Sequence, residues 1–372
     1  MSPWKGFAPD GTVSAAALRR PRRPVFHVKH RRSVAISRGR CPAAHPAVDA
    51  SAGRTTLRSG VDRRWRSKTT SEGDVRVEFD DSTPLARELA RLSERRKAAE
   101  SLEFRRPEHT RVISVTNQKG GVGKTTTAVN LGAALARGGM RVLVIDLDPQ
   151  GNASSALGVN IREGGPGIYE VLIGEHTLDQ VIVPSGEDPR LLCAPSSIDL
   201  AGAEIELVTL PSREYRLWQA IDRLLQDERD DRIDFVLIDC PPSLGLLTVN
   251  AFVAAQEVLI PIQCEYYALE GLSQLLKNIL LVNDELNPDL RLSAILLTMY
   301  DGRTRLSEEV AREVREHFGR ETLQTMIPRT VRISEAPSYG QSVIAYDPGG
   351  KGALSYMEAA SELSLREEQH VR

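Results

Sequence analysis

The segment Lys119-Gly120-Gly121-Val122-Gly123-Lys124-Thr125-Thr126-Thr127 constrains this chain more than any other stretch. It follows an apolar strand candidate at 112–116 and opens a helical stretch at 125–137. A glycine-rich turn between strand and helix lets backbone N–H groups close around a phosphate chain. Glycine is needed because side chains block that approach and several positions require unusual φ/ψ. In such a loop Lys124 reaches the β- and γ-phosphates and the Thr125 hydroxyl ligates Mg²⁺. Gly120, Gly121, Val122, Gly123 and Thr126 complete the predicted cradle. The pattern predicts binding of ATP with Mg²⁺.

From Arg111 onward, apolar runs alternate with helical stretches. Strands are predicted at 112–116, 142–146, 235–239, 257–261 and 293–298. Helices are predicted at 125–137, 213–227 and 269–283. Apolar runs of this length separated by amphipathic helices imply a mostly parallel sheet covered on both faces. The predicted fold class is α/β, a doubly wound sheet of the P-loop NTPase type.

Two of these strands end in carboxylates. Asp146 and Asp148 close one and Asp239 closes another, at the strand ends that face the ligand in open parallel sheets. An apolar strand ending in aspartate, downstream of a phosphate loop, is the Walker B arrangement, which puts Asp239 on Mg²⁺ through water. Pro241-Pro242 is predicted to stiffen a switch segment behind it.

The net charge of −2 conceals two different objects. Residues 1–70 hold 16 Lys+Arg and 3 Asp+Glu, near +13, and the remaining 32 basic and 47 acidic residues leave 71–372 near −15. Residues 1–80, rich in Arg, Pro, Ser and Ala without apolar period, are predicted to be a disordered basic leader. It reads either as a solvated tail or as an extension from a false start codon. Residues 81–106 form a predicted helix and linker. Ser82 or Thr83 caps a helix over 83–104, and Pro84 suits its first turn. Leu85, Leu89, Leu92 and Ala99 make an apolar stripe predicted to dock on its own domain or on a dimer partner. Residues 107–366 form the predicted ATPase domain, and 367–372 a tail.

Cys41, Cys193, Cys240 and Cys264 lie far apart and form no CxxC, against a disulfide framework or zinc site. No apolar run approaches the ~20 residues of a membrane span. The basic N-terminus lacks the compact apolar stretch of a secretory signal. A reducing cytoplasm is the expected compartment.

The extra lysine of the loop, Lys119, makes it resemble the deviant K-G-G-x-G-K-T loop of ParA, MinD and nitrogenase-iron-protein ATPases. Between about Arg111 and Glu362 the chain is similar to ParA proteins, including Soj-type ones. Asn117-Gln118 and Asp146-Leu147-Asp148-Pro149-Gln150-Gly151-Asn152 carry the likeness. So do the segment from Leu297 through Asp301, Gly302 and Arg303, and that from Ile327-Pro328-Arg329 to Ser338. The resemblance implies that Lys119 reaches the nucleotide of the other subunit in an ATP-bound sandwich homodimer. It implies that Asp148 orients the attacking water while Asp146 is structural. It places Pro328 and Arg329 beside the nucleotide base, and Arg303 and Arg332 on the phosphates of non-specific double-stranded DNA. It further implies a ParB-like, parS-binding partner that stimulates hydrolysis, a nucleoid-associated location and no membrane. A MinD-like membrane-surface ATPase or another cargo-positioning ATPase is the alternative. The cluster-binding relatives use paired cysteines, which are lacking here.

The leader adds one reading at the DNA level. Val25-Phe26-His27-Val28-Lys29-His30 is encoded by GTG-TTT-CAC-GTG-AAA-CAT, among other codon sets. That set contains the palindrome TGTTTCACGTGAAACA, which resembles parS. Either the stretch records a parS site in the gene, or it is an ordinary basic segment.

Overall fold

The computed structural model describes residues 84–159, 165–226, 232–266 and 270–366. The predicted leader 1–80, its palindrome-coded stretch and the tail 367–372 lie outside the described residues.

Eight strands form one sheet: β1 Arg111–Val115, β2 Val142–Asp146, β3 Val183–Pro184, β4 Leu191–Ala194, β5 Phe235–Asp239, β6 Glu257–Gln263, β7 Arg291–Tyr300 and β8 Thr322–Pro328. Their spatial order is β3-β4-β2-β5-β1-β6-β7-β8. Every neighbouring pair is parallel except β3 with β4. The α/β, mostly parallel, doubly wound expectation holds.

The reason lies in the strands' apolar runs. Every residue of β1, β2 and β5 is buried. Alternate side chains face opposite layers. Val112, Leu143, Ile145, Val236 and Ile238 pack on one side with Leu217, Ile221, Phe252, Leu275 and Val314 of the helices. Ile113, Val115, Val144, Phe235 and Leu237 pack on the other with Val129, Leu131, Leu135, Ala359 and Leu363. Helices Lys124–Arg137 and Lys351–Leu365 supply that second layer. Gly132 is needed there, because a Cβ would come within 2.9 Å of Val144.

Sequence boundaries shift by small amounts. β1 starts and ends one residue early, β6 and β7 run longer, and the 213–227 helix begins only at Arg216. β3, β4 and β8 were not foreseen. β3 and β4 are only two and four residues long, and β8, at the sheet edge, mixes buried, half-buried and exposed positions without a regular period.

The predicted 83–104 helix spans Pro84–Glu100. It docks on its own domain, with Leu92 and Ala99 of the apolar stripe half-buried and Leu89 49% exposed, and polar anchors fasten it. Arg95 pairs with Glu358 at 2.6 Å and donates to Ser355 Oγ, and Arg96 Nε donates to the Gly349 carbonyl. Lys351 pairs with Glu88. The chain beyond is fastened as well: Ser361 Oγ donates to the Glu103 carbonyl, and the Phe104 ring fills the space over Gly138.

Candidate functional site

Parallel strands deliver their C-terminal ends to one edge of the sheet. Val115, Asp146 and Asp239 end β1, β2 and β5 in direct register: Val115 pairs with Asp239, and Asp239 with Asp146. The phosphate loop leaves β1 at that edge, beside both aspartates. Order around β1 reverses here, with β5 and β2 on one side and β6 on the other, a switch point of the kind that binds ligands in open sheets.

The loop is held open by its backbone. Gly121 has φ +74° and Gly123 φ +90°, left-handed values that disfavour any L side chain. Asn117 braces its start, donating from Nδ2 to the Pro261 carbonyl and accepting from the Lys119 N–H through Oδ1. Thr298 Oγ1, from β7, donates to the Val122 carbonyl at 2.8 Å. Both residues stand inside the motif segments, yet this bracing role was not legible there. The helix starts at Lys124, so its free N–H groups face the loop's concavity.

Lys124 is buried at 7% exposure, with Nζ 3.4 Å from the Lys119 carbonyl. Burial lowers its pKa, while Asp239 and Asp148 oppose that shift. The predicted catalytic lysine and both carboxylates therefore share one electrostatic environment. Lys119 sits at the rim and pairs with Glu265 at 3.6 Å, both side chains partly exposed. Nothing in the Gln263-Cys264-Glu265 sequence marked Glu265 in advance.

The carboxylates differ sharply. Asp146 accepts from Ser154 N–H (2.7 Å), Ser154 Oγ (2.6 Å) and Asp148 N–H (3.3 Å). Burial nevertheless raises its pKa to about 6. It organises the turn that carries Asp148, whose Oδ1 accepts from Gln150 N–H. Asp239 is fully buried, and neither carboxylate oxygen has a hydrogen-bond partner of good geometry. Burial, then the neighbouring Asp146 charge, pushes its pKa well up, and the nearby Thr125 hydroxyl and Lys124 only partly relieve it. A fully buried carboxylate left without donors costs several kcal/mol unless a cation completes it. Hard oxygen ligands beside a hydroxyl suit Mg²⁺. Thr125 and Asp239 fit the predicted metal.

The remaining predicted residues lie farther along the same edge. Pro328 ends β8 opposite Tyr300, and Arg329 N–H donates to the Tyr300 carbonyl. β8 is three strand positions from β1, roughly 14 Å by normal strand spacing. Arg303 follows β7 and is 90% exposed, bridging bidentately to Asp301. Arg332 lies on Val331–Glu335, pairs with Glu335 and stacks over Tyr346, 5.8 Å from the ring centre. Phosphate-loop residues and carboxylates thus come together, whereas the two arginines sit apart from them on the neighbouring strand ends.

Cys193, Cys240 and Cys264 are buried and free. Among the described residues, no helix is long and apolar enough to cross a membrane.

The chain resembles known proteins over this whole region. A family model described as an AAA domain matches residues 110–292. The sporulation initiation inhibitor protein Soj of Bacillus subtilis is 50% identical over 254 residues, covering 68% of this chain and 98% of that protein. The chromosome partitioning protein ParA of Myxococcus xanthus is 49% identical over 257 residues, covering 69% and 89%. The crystal structure of cobyrinic acid a,c-diamide synthase from Mycobacterium smegmatis with bound ADP and magnesium superposes with a TM-score of 0.58. It is 41% identical and covers 68% of this chain and 92% of that one.

Proposed function

The chain belongs to the Soj/ParA family of chromosome-partitioning P-loop ATPases, and from that premise we propose that it is an ATP-switched homodimer that moves DNA. Residues 107–366 form the ATPase domain in this reading. ATP is the substrate, Thr125 and Asp239 hold Mg²⁺, and the backbone of Gly120 to Thr126 with Lys124 cradles the phosphates. The bound ADP and magnesium of the Mycobacterium smegmatis structure support that assignment. Mg²⁺ supplies charge neutralisation of the phosphate chain when bound.

This chain's own residues do the rest. Lys124 holds phosphate oxygens in a buried setting where its charge is weakly screened. Asp148, fixed by Asp146 through the turn, orients water for attack. Pro328 and Arg329 stand far enough from the loop to flank the nucleoside. Lys119 leaves Glu265 for the nucleotide of the partner subunit, so ATP occupancy and pairing become one equilibrium. Arg303 and Arg332 then grip DNA phosphates without reading bases, and a ParB-like, parS-bound protein accelerates hydrolysis and releases the subunits. The protein works in the cytoplasm on the nucleoid.

One observation carries the reading: the Lys119 side chain stands solvent-accessible at the rim of the loop, paired with the partly exposed Glu265 carboxylate. The test is retention of purified protein on duplex DNA of unrelated sequence, with ATP, ADP or no nucleotide, across a salt series. Retention with ATP alone, weakening as salt rises, is expected. Retention indifferent to nucleotide, or none at all, overturns the DNA switch.

A further inference from the structure

Arg332 stands on a weak mount. Its helix, Val331–Glu335, is five residues long and contains no buried residue. Ile333 leans on Gly352, where a Cβ would come within 2.7 Å of it. For the Arg332 side chain itself, the helix supplies an exposed pair with Glu335 at 3.1 Å. Exposed pairs of this kind contribute about 0–1 kcal/mol, too little to hold a long side chain in one place.

A ring from another element supplies the rest. The Arg332 guanidinium lies over Tyr346, its carbon 5.8 Å from the ring centre, and Nη1 donates to the Tyr346 hydroxyl at 3.4 Å. That hydroxyl donates to Glu335 Oε2, the same oxygen that pairs with Arg332. Tyr339 stacks on Tyr346 in turn, with ring centres 5.1 Å apart and planes 23° from parallel.

Tyr346 is well mounted where Arg332 is not. It ends helix Val343–Tyr346, in which Val343 and Ile344 are buried. Val343 N–H donates to Asn130 Oδ1, on the phosphate-loop helix, at 2.7 Å. Ser342 Oγ accepts from Ala345 N–H and donates to Glu187 at 2.6 Å. The ring therefore holds its place against the core. Among the described residues the Arg332 hydrogen bonds all leave from Nη1. A planar guanidinium laid on a ring keeps its other donors in its own plane.

We propose that Tyr346, backed by Tyr339, is a positioning residue for DNA, holding the Arg332 guanidinium so that Nε and Nη2 meet a backbone phosphate already oriented. The inference rests on the DNA reading above and deepens it. A side chain ordered before binding loses less rotamer freedom on binding, which raises affinity. Salt dependence, by contrast, counts the charges that meet phosphates. Ring and charge therefore leave different signatures.

The test is filter binding of the full chain to duplex DNA of unrelated sequence, with ATP, across a salt series. Tyr346→Leu is expected to weaken binding about 2–5-fold, as for loss of an exposed cation–ring contact, at an unchanged slope of log affinity against log salt. Tyr346→Phe keeps the ring and is expected to bind as wild type does. Arg332→Lys keeps the charge on an exposed side chain but loses the planar fork, and is expected to show a similar loss at the same slope. In Arg332→Lys/Tyr346→Leu the two losses are not expected to add, because the ring acts through the guanidinium. Dimerisation with ATP is expected to stay unchanged throughout. Losses that add, or a Tyr346→Leu or Arg332→Lys variant as tight as wild type, overturn the positioning role and leave the DNA switch standing. So does a Tyr346→Phe variant as weak as Tyr346→Leu, or a Tyr346→Leu protein that no longer dimerises. A wild type that does not bind DNA overturns both.

Discussion

Lys119 Nζ lies 3.6 Å from Glu265 Oε2, so the first lysine of the phosphate loop is held by a carboxylate of its own subunit. In the proposed dimer, Lys119 must leave that carboxylate before it can reach the partner's nucleotide. The pair is exposed, and such pairs contribute about 0–1 kcal/mol. It is a weak hold, suited to release. Glu265→Gln is expected to lower the ATP concentration needed for dimerisation by up to about fivefold, read by sedimentation velocity. A variant that dimerises less readily would show that Glu265 supports the dimer instead.

The buried aspartates predict an inverted pH dependence in the nucleotide-free protein. Asp146 has its pKa raised to about 6, chiefly by burial, against an ordinary value of 3.8. The folded state therefore holds a proton that the unfolded state releases earlier. Stability from this group is complete below about pH 4 and is lost as pH rises through about 6. Asp239, shifted the same way, adds to the loss. At about 1.4 kcal/mol per unit, Asp146 accounts for up to ~3 kcal/mol. Urea midpoints at pH 4.5 and pH 7 are expected to differ in that direction, and Asp146→Asn to flatten the difference. Mg²⁺ with nucleotide is expected to stabilise more at pH 7 than at pH 5.

How much of this was legible depended on whether the signal was local. The loop, its strand and the two aspartate-terminated strands could be read because apolar runs, glycines and carboxylates stand within a few residues of each other. β2 and β5 were placed to the residue for that reason. Glu265, just past β6, and Thr298, on β7, act on the loop across spans that only the fold closes, as does the Asn117 bond to the Pro261 carbonyl. β4, at Leu191–Ala194, is too short to announce itself, and the polar docking of helix Pro84–Glu100 depends on Glu358 and Gly349, more than 250 positions away. Local pattern speaks for elements; tertiary partners are set by topology.

Asp148→Ala is expected to reduce ATP turnover by about 10²-fold or more while leaving the ATP-dependent dimer intact. In the proposed mechanism Asp148 acts on water, whereas Lys124 and the loop backbone hold the phosphates. Single-turnover hydrolysis alongside light scattering separates the two. Loss of the dimer together with turnover would assign Asp148 to nucleotide binding rather than to attack.

Arg303 is 90% exposed and already bound bidentately to Asp301, whose carboxyl it holds down to about 2. In the proposed DNA complex a phosphate must compete with that carboxylate. Arg303→Glu is expected to abolish retention on DNA at moderate salt, and Asp301→Asn to strengthen it several-fold. Neither is expected to change dimerisation. Filter binding across a salt series checks both, and an Asp301→Asn variant no tighter than wild type would remove the competition.

Arg111 and Glu257 tie together the neighbouring parallel strands β1 and β6. Nε and Nη2 of Arg111 each donate to Glu257 at 2.8 Å, and Nη1 donates to the Leu363 carbonyl, so β1, β6 and the last helix meet at one guanidinium. Burial pushes the Glu257 carboxyl up, but Arg111's hydrogen bonds and charge outweigh it and hold the carboxyl below its usual range. Both side chains are about 95% buried or more. Removing one charge strands the other, with Arg291 only 3.7 Å away as partial relief. Arg111→Met is expected to destabilise the nucleotide-free protein by about 3–5 kcal/mol in urea unfolding at pH 7. Arg111→Met/Glu257→Met no longer buries a lone carboxylate and is expected to recover about 2 kcal/mol or more of that loss. A double variant as unstable as the sum of the singles would mean that Glu257 draws its compensation from Arg291 and the Ser293 hydroxyl instead.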